Sequence, residues 1–128
     1  MDYAYEMREA QEFQSTLREV DRAPLAERKE ACAEFLEAMR HSPDLVAERI
    51  GWLLDGNYGY GSMQAAKRVI KGSSRMNKAA QLTHMVAALE WRCPARMAAQ
   101  AWKALSSSEK KALDRAVGAE IKAAERSE

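Results

Sequence analysis

The sequence predicts an all-α protein, and three observations carry that prediction. Alanine fills 24 of the 128 positions, and the other strong helix formers, Glu, Lys, Arg, Met and Leu, dominate the rest. Valine and isoleucine together number eight and threonine two, so the β-branched residues that suit strands are scarce. Apolar side chains recur at steps of three and four, the period of one helix face. A chain of 128 residues fits one compact domain, 1–128, of six to seven helices. A chain of this size buries roughly two-thirds of its unfolded surface, enough for a core without metal or disulfide staples.

Residues 2–20 open the chain with Tyr3, Met7, Ala10, Phe13, Leu17 and Val20 on one stripe, an amphipathic helix packed on a core or on its copy in a homodimer. Pro24 suits a helix's first turn, and the second helix runs to about Arg40 with Leu25, Cys32, Phe35, Leu36 and Met39 inward. Ser42-Pro43 supplies an N-cap and a first-turn proline. The third helix, to about Asp55, carries Leu45, Val46, Ile50, Trp52, Leu53 and Leu54 over a wide arc, which marks it as central and Trp52 as core.

A Gly/Tyr-rich loop, Gly56–Ser62, follows. Ser62 caps a short fourth helix with Met63, Ala66, Val69 and Ile70 inward, and Gly72 ends it where a left-handed residue is wanted. After Ser73-Ser74 a longer helix runs to about Arg92 with Met76, Ala79, Leu82, Val86 and Leu89 inward. Asn77, Gln81 and His84 lie on its other side, so His84 reads as a surface imidazole. Cys93-Pro94 breaks it, and a sixth helix holds Met97, Ala101, Trp102 and Leu105 inward. Ser106 and Glu109 fit a capping box for the last helix, lined by Leu113, Val117 and Ile121.

Charge is unevenly spread although the net is +1. Up to Asp55 there are 13 acids and 7 bases; from Gly56 onward there are 6 acids and 13 bases. Between Gly56 and Ser108 eight bases face one acid, Glu90. That asymmetry points to an anionic partner or to packing of the acidic half on the basic half.

The loop at 56–62 and the bases beyond it form the main constellation. Glycines let successive N–H groups converge on an anion. The first turn after Ser62 holds no acid, so the positive end of the helix dipole is left for a ligand, with Lys67 and Arg68 one turn on. Tyr58 and Tyr60 can stack on bases, or else seal the core. Lys67, Arg68, Lys71, Arg75 and Lys78 form a row without interleaved acids, as phosphate binding requires. The segment is not a P-loop, because the lysine and hydroxyl after the last glycine are absent. A standard helix-turn-helix is disfavoured: the framework positions that should be apolar are Lys67, Lys71, Ser73, Lys78 and Gln81.

Nothing in the sequence supports catalysis. The carboxylates of the first half lie beside arginines, without paired acids in an apolar setting. His84 and Cys93, nine residues apart, fall on opposite sides of a continuous helix. Cys32 and Cys93 have no CxxC spacing and read as buried free thiols of a reducing cytoplasm. No stretch approaches the about 18 apolar residues of a membrane span. Neither cofactor, metal, membrane nor small-molecule substrate is therefore expected.

The phrases DGNYGYGSMQAAKRVI and LEWRCPARMAAQAWKALS resemble small helical proteins of unknown role encoded by phages and plasmids. They cover about a quarter of the chain. The resemblance implies an accessory role in a bacterial cytoplasm, directed at a host system, and carries over no site. The expected function is thus a non-enzymatic binding protein engaging nucleic-acid phosphate through Tyr58, Tyr60, Ser62, Lys67, Arg68, Lys71, Arg75 and Lys78. The alternative is a protein-binding modulator or host-defence inhibitor.

Overall fold

Apolar spacing and local stop signals become seven helices, with no strand among the described residues. The computed structural model describes residues 3–127, and the side chains at positions 3, 75 and 76 lie outside that description. The expectations placed on the Tyr3, Arg75 and Met76 side chains fall there. In chain order the elements are α1 (Tyr3–Arg22), α2 (Leu25–His41), α3 (Pro43–Leu54), α4 (Tyr60–Gly72), α5 (Arg75–Trp91), α6 (Ala95–Lys103) and α7 (Ser107–Arg126).

The core is built where the stripes of α2, α3, α5 and α7 meet. Phe35, Met39, Ile50, Leu53, Leu82, Val86, Leu113 and Val117 are all buried, and the Phe35 and Trp91 rings tilt against each other with centroids 5.3 Å apart. Helix α3 is central, as its wide apolar arc predicts, and packs most extensively on α7. Gly51 faces this contact, where a Cβ would lie 2.9 Å from Glu120 Oε2 at the end of a flexible side chain. Helix α1 lies along α4 and buries Phe13 and Val20. Toward its start the stripe leaves Met7 53% exposed.

Helix ends follow their chemistry unevenly. The capping box forms as expected: Ser106 Oγ accepts from Glu109 N, while Glu109 Oε1 accepts from Ser106 N at 2.7 Å. That bond holds the Glu109 carboxyl below the usual carboxylate range. Ser42 precedes α3 without a side-chain cap, although Pro43 does take the first turn. Gly72 is the last residue of α4, and its backbone is not left-handed. The positive φ values fall instead at Gly56, Gly59 and Arg92, where Arg92 closes α5 ahead of Pro94.

Four side chains depart from expectation. Leu25, in the first turn of α2, is 51% exposed. Trp52 is 39% exposed, and the Arg49 guanidinium stacks on its ring, 3.7 Å from the centroid. Cys32 and Cys93 are not free thiols. They form a disulfide that joins α2 to the break after α5 across 61 residues, and the free-thiol argument for a reducing compartment goes with it.

Candidate nucleic-acid interface

The α3–α4 connection is shorter than its glycine content suggests. It spans only residues 55–59, because Tyr60, Gly61 and Ser62 already belong to α4. Gly56 and Gly59 take φ values of 90° and 103°, conformations that side chains other than glycine's rarely adopt. Gly61 serves a different purpose. It is buried at the crossing with α1, where a Cβ would stand 2.6 Å from the Glu9 carbonyl carbon and 3.0 Å from Ala10 N. Ser62 is not a cap: Gly59 occupies that position, and the Ser62 hydroxyl, buried, donates to the Tyr58 carbonyl at 3.1 Å.

Both tyrosines are drawn inward. The Tyr58 hydroxyl donates to Glu90 Oε2 at 2.9 Å, and burial followed by that carboxylate pushes its pKa far up. Arg49 Nε donates to the other oxygen of Glu90, also at 2.9 Å. The single acid between Gly56 and Ser108 is thereby committed to α3 and the connection, away from the lysines of α4. Tyr60 accepts from Gln64 Nε2 at 2.6 Å and donates to Glu6 Oε1 at 3.4 Å, while its ring lies 6.0 Å from that of Tyr5. These contacts tie the start of α4 to α1.

The positive end of α4 is not left uncompensated, as its own first turn would suggest. Glu9 of α1 reaches it, with Oε2 3.8 Å from where a Gly59 Cβ would be. A hollow of about 260 Å³ at this end is lined by Glu9, Glu12, Tyr58, Gly59 and Ser62 among others. Two carboxylates at a helix N-terminus satisfy its partial charge and repel a further anion.

The cations farther along α4 are in a different position. Arg68 and Lys71 are exposed and Lys67 is half-buried. Among the described residues no carboxylate comes within 4.0 Å of any of the three. Lys67 and Lys71, four apart, share a face. The row does not continue onto α5 as one helix, because the chain breaks at Ser73-Ser74. Lys78 is paired with Glu125 of α7 at 3.2 Å, its side chain only 15% exposed. Of the described bases between Gly56 and Ser108, only Arg92 meets a carboxylate of the first three helices, Glu19 at 4.0 Å. Acid-on-base packing of the two halves is thus confined to the chain's α1 edge.

Among the described residues no helix is long and apolar enough to cross a membrane, and no group of three or more His, Cys, Asp or Glu could hold a metal ion. His84 is half-buried, not a plain surface imidazole, and burial lowers its pKa. It lines a groove between α5, α6 and α7 that helical periodicity does not announce. Comparison with known proteins finds no family model, no curated protein and no solved structure that matches the chain.

Proposed function

We propose that the protein is a non-enzymatic binding protein whose α4 engages an anionic partner, foremost the phosphate backbone of nucleic acid. The observation that carries this reading is the absence of any carboxylate within 4.0 Å of Lys67, Arg68 or Lys71 among the described residues. A helix that carries three bases and no acid of its own offers phosphate contacts without internal competition. Tyr58, Tyr60 and Ser62 act in this reading as the lock that holds α4 against α1 and α5, and Arg75 extends the basic sequence beyond the turn. Contacts of this kind position a backbone and do not read bases, so recognition is by charge and shape.

The test is fluorescence anisotropy with single-stranded and duplex oligonucleotides over a salt series. Three phosphate contacts on duplex give a log–log salt slope of about −2.7, or roughly 40-fold weaker binding between 50 and 200 mM salt. The triple change Lys67→Glu, Arg68→Glu, Lys71→Glu abolishes binding while leaving the helical circular dichroism intact. Absence of binding at the lowest salt would overturn the reading.

A second reading, a modulator or inhibitor of a host protein, draws on Met7 of the α1 stripe, which is 53% exposed, with Glu6 and Glu9 on the same helix. It is favoured if oligonucleotides fail to bind and changes on α1 release a co-purifying protein.

A further inference from the structure

Helices α5, α6 and α7 fail to close on one another, and the cause is the size of the side chains they turn inward. Ala79 and Ala80 of α5, Ala98 and Ala99 of α6, and Gly118 and Ala119 of α7 line a groove of about 1110 Å³. Interiors are otherwise packed to the density of organic crystals, and this volume lies at the upper end of small-molecule sites. A Cβ built on Gly118 would meet nothing within 4 Å, so the space is open to the helix backbone itself.

One polar group on the floor has no partner. Thr83 is 5% exposed, yet no hydrogen bond to its hydroxyl exists among the described residues, in contrast to Thr16, which donates to Glu12 O in its own helix. Among the described residues no side-chain oxygen or nitrogen sealed from solvent is left unpartnered. The Thr83 hydroxyl therefore keeps its access, and it keeps it through the groove that it lines. The rim is cationic: Lys103, Arg115, Lys122 and Arg126 are exposed lining residues, and none lies within 4.0 Å of a carboxylate among the described residues. The lining acids are Asp114 and Glu125, and Glu125 is committed to Lys78.

We propose that this groove is a binding site for a soluble amphipathic organic acid. Its apolar body would lie over the alanine and glycine floor beside Ile121, and its carboxylate head would accept from the Thr83 hydroxyl with one oxygen and meet Arg115 and Lys122 with the other. Burial lowers the His84 pKa, which accords with a partly dehydrated groove wall at that side chain. The site shares no residue with α4, so its success or failure is independent of phosphate binding there.

Isothermal titration with dodecanoate and with dodecanol, each below its aggregation concentration, tests the proposal. Dodecanoate binds saturably at one site per chain and more tightly than dodecanol. Gly118→Leu fills the groove, so it weakens dodecanoate at least about tenfold while the melting temperature holds or rises, since leucine suits a helix better than glycine. Thr83→Val, the same shape without the hydroxyl, weakens binding about threefold, the scale of one net hydrogen bond. Arg115→Glu with Lys122→Glu weakens dodecanoate about tenfold, as two reversed surface charges should, and leaves dodecanol unchanged. No saturable dodecanoate binding, or binding indifferent to both Gly118→Leu and Thr83→Val, overturns the site. Equal affinity for the alcohol overturns the anionic head. A dimer in sedimentation that Gly118→Leu turns into a monomer overturns the small-molecule occupant in favour of a second copy of the chain.

Discussion

Glu90 shows how one carboxylate decides the electrostatics of its neighbourhood. It accepts from Arg49 and from Tyr58, so its charge is spent on joining α3, the 55–59 connection and α5. Glu120 is the opposite case. It sits against Gly51, and burial first, then the charges of Asp55 and Glu48, raise its pKa. An acid whose folded pKa is raised favours the fold below its unfolded pKa, and that contribution is lost as pH rises through the folded value. Glu120→Gln should therefore stabilise the protein at pH 7 by about 0.5 kcal/mol, the scale of partly exposed charge interactions. At pH 3.5, where the wild-type carboxyl is largely protonated, the advantage should vanish. Urea midpoints at the two pH values check this, and an equal gain at both would point to packing as the cause.

At the scale of elements, the α1–α4 crossing is set by Gly61. An alanine there would gain about 1 kcal/mol in helix propensity but would press its Cβ into the Glu9 and Ala10 backbone. Backbone atoms cannot rotate aside as a side chain can, and overpacking of this kind costs about 1–3 kcal/mol. The clash should win. Gly61→Ala is expected to lower the urea midpoint and to loosen α1, seen as faster amide exchange across residues 3–22. A midpoint at or above wild type would mean that α1 shifts freely on α4. The surroundings of the α4 N-terminus are set at this same scale. Its first turn is free of acids within the helix, but Glu9 arrives from another helix.

For the whole molecule, the largest single constraint is the Cys32–Cys93 bond, which closes a loop across 61 residues. By chain entropy alone such a link contributes about 4 kcal/mol. Cys32→Ala with Cys93→Ala should lose an amount of that order in urea unfolding, and the wild-type chain unfolded without reductant should show no reactive thiol. Two reactive thiols would return the cysteines to separate buried side chains. Much of the architecture was legible beforehand. The helix stripes at Phe35–Met39, Val46–Leu53 and Leu113–Ile121, the breaks at Pro24, Ser42-Pro43 and Cys93-Pro94, and the Ser106–Glu109 box all depend on residues within a turn or so of one another. The candidate interface was legible only as composition: a row of bases could be seen, but not which would be paired. By itself the sequence determined the helical class, the order of the helices and most of their buried faces, because each follows from side chains three or four positions apart. Only the tertiary structure decided that the thiols pair, that Trp52 surfaces under Arg49, that Glu9 covers the end of α4, that Lys78 goes to Glu125, and that small residues on three helices leave a groove. Each of these joins residues between helices or depends on how they pack, and helical periodicity carries no information about which faces will meet.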